Sequence, residues 1–194
     1  DFNKILPFEM TNAQQNAISD CLGDMQKPNA MNRLIQGDVG SGKTVIAAAC
    51  AYFAYKNGFQ TALMVPTEIL ANQHYNTLSQ FLEPLGVKVC LLTGSLTAKE
   101  KASVKAELVD GEYTVAVGTH ALIQSTTIFK NLGLVVTDEQ HRFGVEQRAL
   151  LSGKGLNPHR LVMSATPIPR TLALMIYGDL DISVVNELPK GRKK

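Results

Sequence analysis

The 194-residue chain is 45% hydrophobic and 19% charged, proportions that exclude disorder, collagen and coiled coil and suit one large core without staples. Its net charge of +2 is set by Lys190, Arg192, Lys193 and Lys194, since the remaining 15 basic and 17 acidic residues leave the body at −2. Bulk charge therefore announces no nucleic-acid binder, and such a function has to be argued from local motifs.

In chain order, Thr11 or Asn12 can cap a helix over residues 13–25, and a strand is expected over 33–36. A glycine-rich string then opens an apolar helix over 43–56, which Asn57-Gly58 can stop. Next come a strand at 61–65, a helix at 68–82 capped by Thr67, a strand at 87–92 and a helix at 98–109 capped by Thr97. Strands at 114–117 and 132–137, a helix at 145–151 and a strand at 160–164 complete the series. Most of these strands are rich in Val, Ile or Leu, as strands covered on both faces must be. Their alternation with helices is the signature of βαβ units. The expected fold is α/β, a mostly parallel central sheet with helices on both faces. Residues 1–183 are expected to form it, and residues 184–194 to lead elsewhere.

The three cysteines, Cys21, Cys50 and Cys90, are odd in number and widely spaced, which fits neither a disulfide framework nor a zinc ligand set. The longest nearly apolar run, residues 45–55, is too short to span a bilayer. A reducing, cytoplasmic setting without membrane contact is the expectation. Asp1 in place of an initiator Met, and the polar run after Pro189, read as the cut ends of a longer protein.

Chemistry concentrates in two strings. Gly37-Asp38-Val39-Gly40-Ser41-Gly42-Lys43-Thr44 is a full G-x-x-x-x-G-K-T between an expected strand and an expected helix. Gly37, Gly40, Ser41 and Gly42 would let backbone N–H groups cradle phosphates at a helix N-terminus. Lys43 would reach the β- and γ-phosphates of a nucleoside triphosphate, and the Thr44 hydroxyl would ligate Mg²⁺. Further along, Leu134-Val135-Val136-Thr137 ends in Asp138-Glu139, two carboxylates at the sheet edge where α/β folds bind ligands. Asp138 would hold the Mg²⁺ shell, and Glu139 would position and polarise the attacking water. His141 has no partner at metal-ligand spacing, and His74, His120 and His159 make no metal case.

Order and spacing now make a resemblance specific. Asp138-Glu139-Gln140-His141 resembles motif II of superfamily 2 helicases, with Gly37–Thr44 as motif I and Ser164-Ala165-Thr166 as motif III. The stretch from Val65 to Ala71 resembles motif Ia, Thr93-Gly94-Ser95 motif Ib, and Gly118 to Leu122 motif Ic. The wider strings DEQHRFGV (138–145), SATPIPRT (164–171) and YGDLDIS (177–183), with Glu187-Leu188-Pro189 and Gly191-Arg192, resemble the RecG family of ATP-dependent branched-DNA helicases. Motor lobes of transcription-repair coupling factors have similar strings, but Gln140 and the ELP-x-GR ending favour RecG. Lys190 departs from it, standing where RecG sequences commonly read Pro.

The resemblance implies a RecA-like P-loop NTPase lobe, bacterial and nucleoid-associated, that uses ATP and Mg²⁺ and acts on branched DNA. Lys43, Asp138, Glu139 and His141 would be its catalytic residues. Gln14 would read adenine, or is simply a solvated residue at a helix start; Phe8 would stack on the base or pack in the core. Thr67, Gly94, Ser95, Gly118 and Thr119 would hold DNA phosphates through N–H and O–H donors, although each taken singly fits an ordinary cap or turn. Gln140 and His141 would couple the nucleotide to Ser164 and Thr166. Arg142 and Phe143 would touch DNA or pack, and Arg170 follows motif III. No string like Q-x-x-G-R-x-G-R is present, so an arginine finger, a second RecA-like lobe and the wedge domain would lie elsewhere in the same protein. The isolated lobe is then expected to bind ATP but hardly to hydrolyse it. A self-sufficient kinase or GTPase would need an Arg-rich lid or an N-K-x-D string, and neither occurs. A nucleotide-gated binding module without catalysis is the reading from another class, against which Lys43, Thr44, Asp138 and Glu139 all stand intact.

Overall fold

The computed structural model describes residues 2–6, 9–38, 42–138 and 145–186. Among these residues six α-helices and seven strands follow in the order α1 (Asn12–Met25), β1 (Asn32–Gly37), α2 (Lys43–Lys56), β2 (Gln60–Met64), α3 (Glu68–Leu82), β3 (Val89–Leu92) and α4 (Ala98–Asp110), then β4 (Val115–Gly118), β5 (Leu132–Asp138), α5 (Val145–Ser152), β6 (His159–Ser164), α6 (Arg170–Tyr177) and β7 (Asp181–Val185). The strands form one sheet in the order β3-β4-β2-β5-β6-β1-β7. Every pairing among the described residues is parallel, so the expected mostly parallel sheet is wholly so here.

Helix starts follow the expected caps. Thr11, rather than Asn12, caps α1 in a reciprocal box, with its hydroxyl accepting from the Gln14 N–H and its own N–H donating to Gln14 Oε1. Thr97 and Glu100 form the same box on α4, and Thr67 accepts from the Leu70 N–H to cap α3. Each such cap satisfies donors that a helix end otherwise leaves open, and is worth about 1 kcal/mol.

The sheet divides its helices between two faces. Against one, α1, α2 and α3 pack on Ile35, Leu63, Val115, Val117, Leu134, Val136, Leu161 and Met163. α2 lies deepest, with eight of its residues buried, which accounts for the run of alanines that lets it sit close to its neighbours. The other face holds two separate clusters. Leu92, Leu108, Leu122, Val135 and Leu151 lie under α4 and α5, while Leu34, Val162, Ala173 and Leu180 lie under α6. All five residues of β2 and all four of β4 are buried, as expected for central parallel strands.

Buried polar groups tie the layers. Gln60 is 3% exposed; its amide donates to the Leu108 and Tyr113 carbonyls and its Oε1 accepts from the Asn131 N–H, joining β2 to the end of α4 and the start of β5. His159 accepts the Met31 N–H through Nδ1 at 2.8 Å. Burial lowers its proton affinity, with Asp24 pulling the other way, so this histidine serves the fold rather than a metal.

Arg33 on β1 donates to Asp24 at 2.7 Å and to Ser183 at 2.9 Å, and Ser183 in turn donates to Asp20. Burial alone would raise the Asp24 carboxyl; the Arg33 hydrogen bond and charge, helped by Lys27, outweigh burial and hold it below its ordinary value. A depressed carboxyl contributes stability above the ordinary carboxylate range and loses it as pH falls through the folded value. Asp24→Asn is therefore expected to cost about 1–2 kcal/mol at pH 7, a gap that narrows below about pH 4. Urea unfolding at pH 7 and pH 3 reads both.

Two elements were not among those expected from the sequence, α6 and β7. β7 pairs with β1 from Arg33↔Asp181 to Gly37↔Val185, so the boundary expected at residue 183 falls inside a strand of the sheet.

Candidate functional site

A parallel sheet brings the C-terminal ends of all its strands to one edge, and the sequence places its chemistry there. In the half β5-β6-β1, Gln36 pairs with Ser164 and Met163 pairs with Asp138. Gly37, where the glycine-rich loop starts, and Asp138 thus flank β6, with their backbones about 10 Å apart at two strand spacings.

Gly37 is buried at the end of β1, and Gly42 caps α2 with φ at +82°. That left-handed backbone is one an L side chain rarely adopts, which is why glycine stands immediately before Lys43. The Lys43 ammonium turns back onto the loop, donating to the Gly37 carbonyl at 2.7 Å and the Asp38 carbonyl at 3.2 Å. Burial lowers its proton affinity, against the opposing charges of Asp138 and Asp38. Lys43 therefore feels the charge of Asp138 across the sheet edge. Thr44 is half-buried in the first turn of α2. Gly40, Ser41, Glu139, Gln140 and His141, with Phe8, Arg142 and Phe143, lie outside the described residues.

Gln14 is wholly buried. Its Oε1 is spent on the α1 cap, and its amide donates to the Gly42 carbonyl at 3.4 Å. It links the start of α1 to Gly42 at the start of α2 instead of standing at a solvated helix start. Ser164 is buried at the tip of β6, where its hydroxyl donates to the Thr166 carbonyl and accepts from the Thr166 N–H. Motif III is thus a closed local turn, with the Thr166 side chain exposed.

The other half of the edge, β3-β4-β2, carries Thr67 after β2, Gly94 and Ser95 after β3, and Gly118 and Thr119 at the end of β4. Thr67, Gly94 and Ser95 are exposed. Glu68 Oε1 accepts the Ser95 N–H at 2.9 Å, and Thr93 and Ser95 pair through their hydroxyls at 3.1 Å. Gly118 and Thr119 behave otherwise: both are buried, and the Thr119 N–H donates to the Leu92 carbonyl. In this structure they pack β4 against β3.

One residue missed in the sequence stands out. His74 of α3 lies 2.7 Å through Nε2 from Asp138 Oδ2. Its position in the buried stripe of α3 was readable from helical spacing, but nothing in the sequence told that the stripe faces Asp138.

A helicase family model, DEAD/DEAH box helicase, matches residues 11–175. The chain belongs to the DEAD/DEAH box helicase family. Within this helicase family it is 61% identical over 191 residues to the ATP-dependent DNA helicase RecG of Aquifex aeolicus, covering 97% of this chain and 24% of that protein. It is 54% identical to the RecG of Bacillus subtilis, covering 100% of this chain and 28% of the relative. A solved structure of RecG bound to a three-way DNA junction aligns with a TM-score of 0.85 and 52% identity, over 100% of this chain and 26% of that one. The resemblance drawn from motifs II, III and their flanking strings is borne out, as is the RecA-like fold. The chain spans about a quarter of the length of the RecG relatives it matches. Among the described residues, no helix is long and apolar enough to cross a membrane.

Proposed function

We propose that this chain is the first motor lobe of an ATP-dependent DNA helicase that remodels branched DNA, such as forks and Holliday junctions, in repair and recombination in the bacterial cytoplasm. The observation that carries the reading is the convergence of Lys43 and Asp138 on one sheet edge, in a chain whose relatives are named RecG. Lys43 would leave the loop carbonyls for the β- and γ-phosphates of ATP, and Gly37, Gly40, Ser41 and Gly42 would present backbone N–H groups.

Thr44 and Asp138 offer hard oxygen donors, and among the described residues no cluster of three or more His, Cys, Asp or Glu is arranged to hold a metal. Such a donor set fits Mg²⁺, which keeps several waters and is held by one or two protein oxygens together with substrate phosphates. When bound, the metal would neutralise developing phosphate charge. Glu139 would orient the attacking water, while Gln140 and His141 would pass the nucleotide state to Ser164 and Thr166.

DNA would lie along the exposed donors at Thr67, Gly94 and Ser95, held by its backbone and so without need of high net charge. A second RecA-like lobe and a wedge domain would come from the rest of the polypeptide. The test is calorimetry of the chain with ATP, with and without Mg²⁺. Saturable, Mg²⁺-dependent binding of one ATP is expected, with phosphate release near background; absence of binding would remove the nucleotide-lobe reading.

A further inference from the structure

The buried stripe of α3 is Ala71, His74, Leu78, Phe81 and Leu82, at the three-and-four spacing that lays one helix face on a sheet. Four of the five are apolar. A polar ring in such a stripe costs free energy unless it is hydrogen-bonded. The His74 ring meets this requirement at Asp138, where Nε2 and Oδ2 stand 2.7 Å apart, a length typical of a charge-assisted bond. An ionised carboxylate has no proton to give, so the ring Nε2–H is the donor. The pair is also sheltered: the two side chains are 11% and 18% exposed.

We propose that His74 is a positioning residue that orients Asp138 for the metal and ties that carboxylate to the DNA-facing end of α3. The proposal rests on the reading of Asp138 as the Mg²⁺ carboxylate. With Oδ2 committed to the ring, Oδ1 is the oxygen left for the metal shell. Groups that hold a metal ligand in one orientation are commonly worth 10- to 100-fold in metal affinity or activity.

The same helix reaches the other half of the edge. Thr67 caps it, and the Glu68 carboxylate at its first position holds the Ser95 N–H. From Thr67 to His74 is about 10 Å of helix axis, a stiff segment anchored at one end on the exposed donors and at the other on Asp138. A displacement of α3 by a bound DNA backbone would move the carboxylate with it.

The experiment uses the full-length protein and titrates Mg²⁺ against binding of a fluorescent ATP analogue, with Asp138→Asn, His74→Phe and His74→Gln compared with the parent. Asp138→Asn is expected to raise the Mg²⁺ half-point, and His74→Phe to raise it about tenfold or more. His74→Gln keeps an N–H at similar reach and is expected to restore most of the loss. Should His74→Phe fail to fold, His74→Asn keeps a polar group but falls short of Asp138 and is expected to show the same shift. An unchanged half-point in the folded His74 variants, with Asp138→Asn shifted, overturns the proposal. An unchanged half-point in Asp138→Asn overturns the metal reading itself, and the proposal with it.

Discussion

Lys43→Ala is expected to weaken Mg–ATP binding by about 10- to 150-fold, the 1.5–3 kcal/mol of a charge-assisted contact, while Glu139→Gln keeps binding and loses about 100-fold or more of DNA-stimulated turnover. In the proposed function the two act on different parts of one reaction. The Lys43 ammonium already sits at the loop, held by the Gly37 and Asp38 carbonyls, so little ordering is needed before it meets a phosphate. Its partial burial strengthens any such contact, because fewer waters compete for the charge. Removing it deletes binding energy felt in both ground and transition states. Glu139 follows Asp138 in the sequence and is the carboxylate proposed to orient the attacking water. A glutamine there keeps the size and loses the charge that polarises the water. Binding should then persist and only the chemical step should fail, the signature of an interaction made in the transition state. Calorimetry and phosphate release on the full-length protein with branched DNA separate the two. Parent-level affinity in Lys43→Ala, or parent-level turnover in Glu139→Gln, would remove that residue from its proposed role.

Much of the fold was legible because local and global signals agreed. α2 and α3 occupy the residues expected of them, since a glycine or threonine marks each start and an apolar face runs the length. β7 was not legible, and its burial shows why. Ser183 is buried and Val184 is 56% exposed, the reverse of what polarity predicts. Ser183 is inside because Arg33 and Asp20 satisfy its hydroxyl, a long-range fact that no window of five residues contains. α6 was hidden for another reason: it is only eight residues long and entered from Pro167 and Pro169, and Leu172, Leu174 and Met175 remain exposed.

The site divides along the same line. Lys43 and Gly42 stood out because the G-x-x-x-x-G-K-T string has a fixed spacing, and the structure puts both at the start of α2 as that spacing requires. His74 did not, because its partner lies 64 residues away and its spacing on α3 is that of any core position. Glycines at the sheet edge were the harder case. A glycine that offers its N–H and a glycine that lets two strands close look alike in sequence, and only the space around the missing side chain tells them apart.

That difference is measurable. Gly118→Ala is expected to destabilise the chain by about 3 kcal/mol or more, whereas Gly94→Ala is expected to stay within about 0.5 kcal/mol of the parent. A methyl group on Gly118 would stand 2.1 Å from the Leu92 carbonyl oxygen and 3.0 Å from Leu122 Cγ. The carbonyl belongs to backbone and cannot rotate away, so β3 and β4 would have to part. Gly118 also accepts the Val65 N–H, and Thr119 donates to that same Leu92 carbonyl, so separation would strain the pairing on both sides of β4. Among the described residues β3 lies at the edge of the sheet, with no further strand to hold it in place. A methyl group on Gly94, by contrast, would meet only Glu68 Oε1 at 3.5 Å, an ordinary contact with the end of a flexible side chain. Urea unfolding should therefore show a lowered midpoint for Gly118→Ala alone, at similar slope. Equal stability of the two variants would mean that β4 can yield at Gly118.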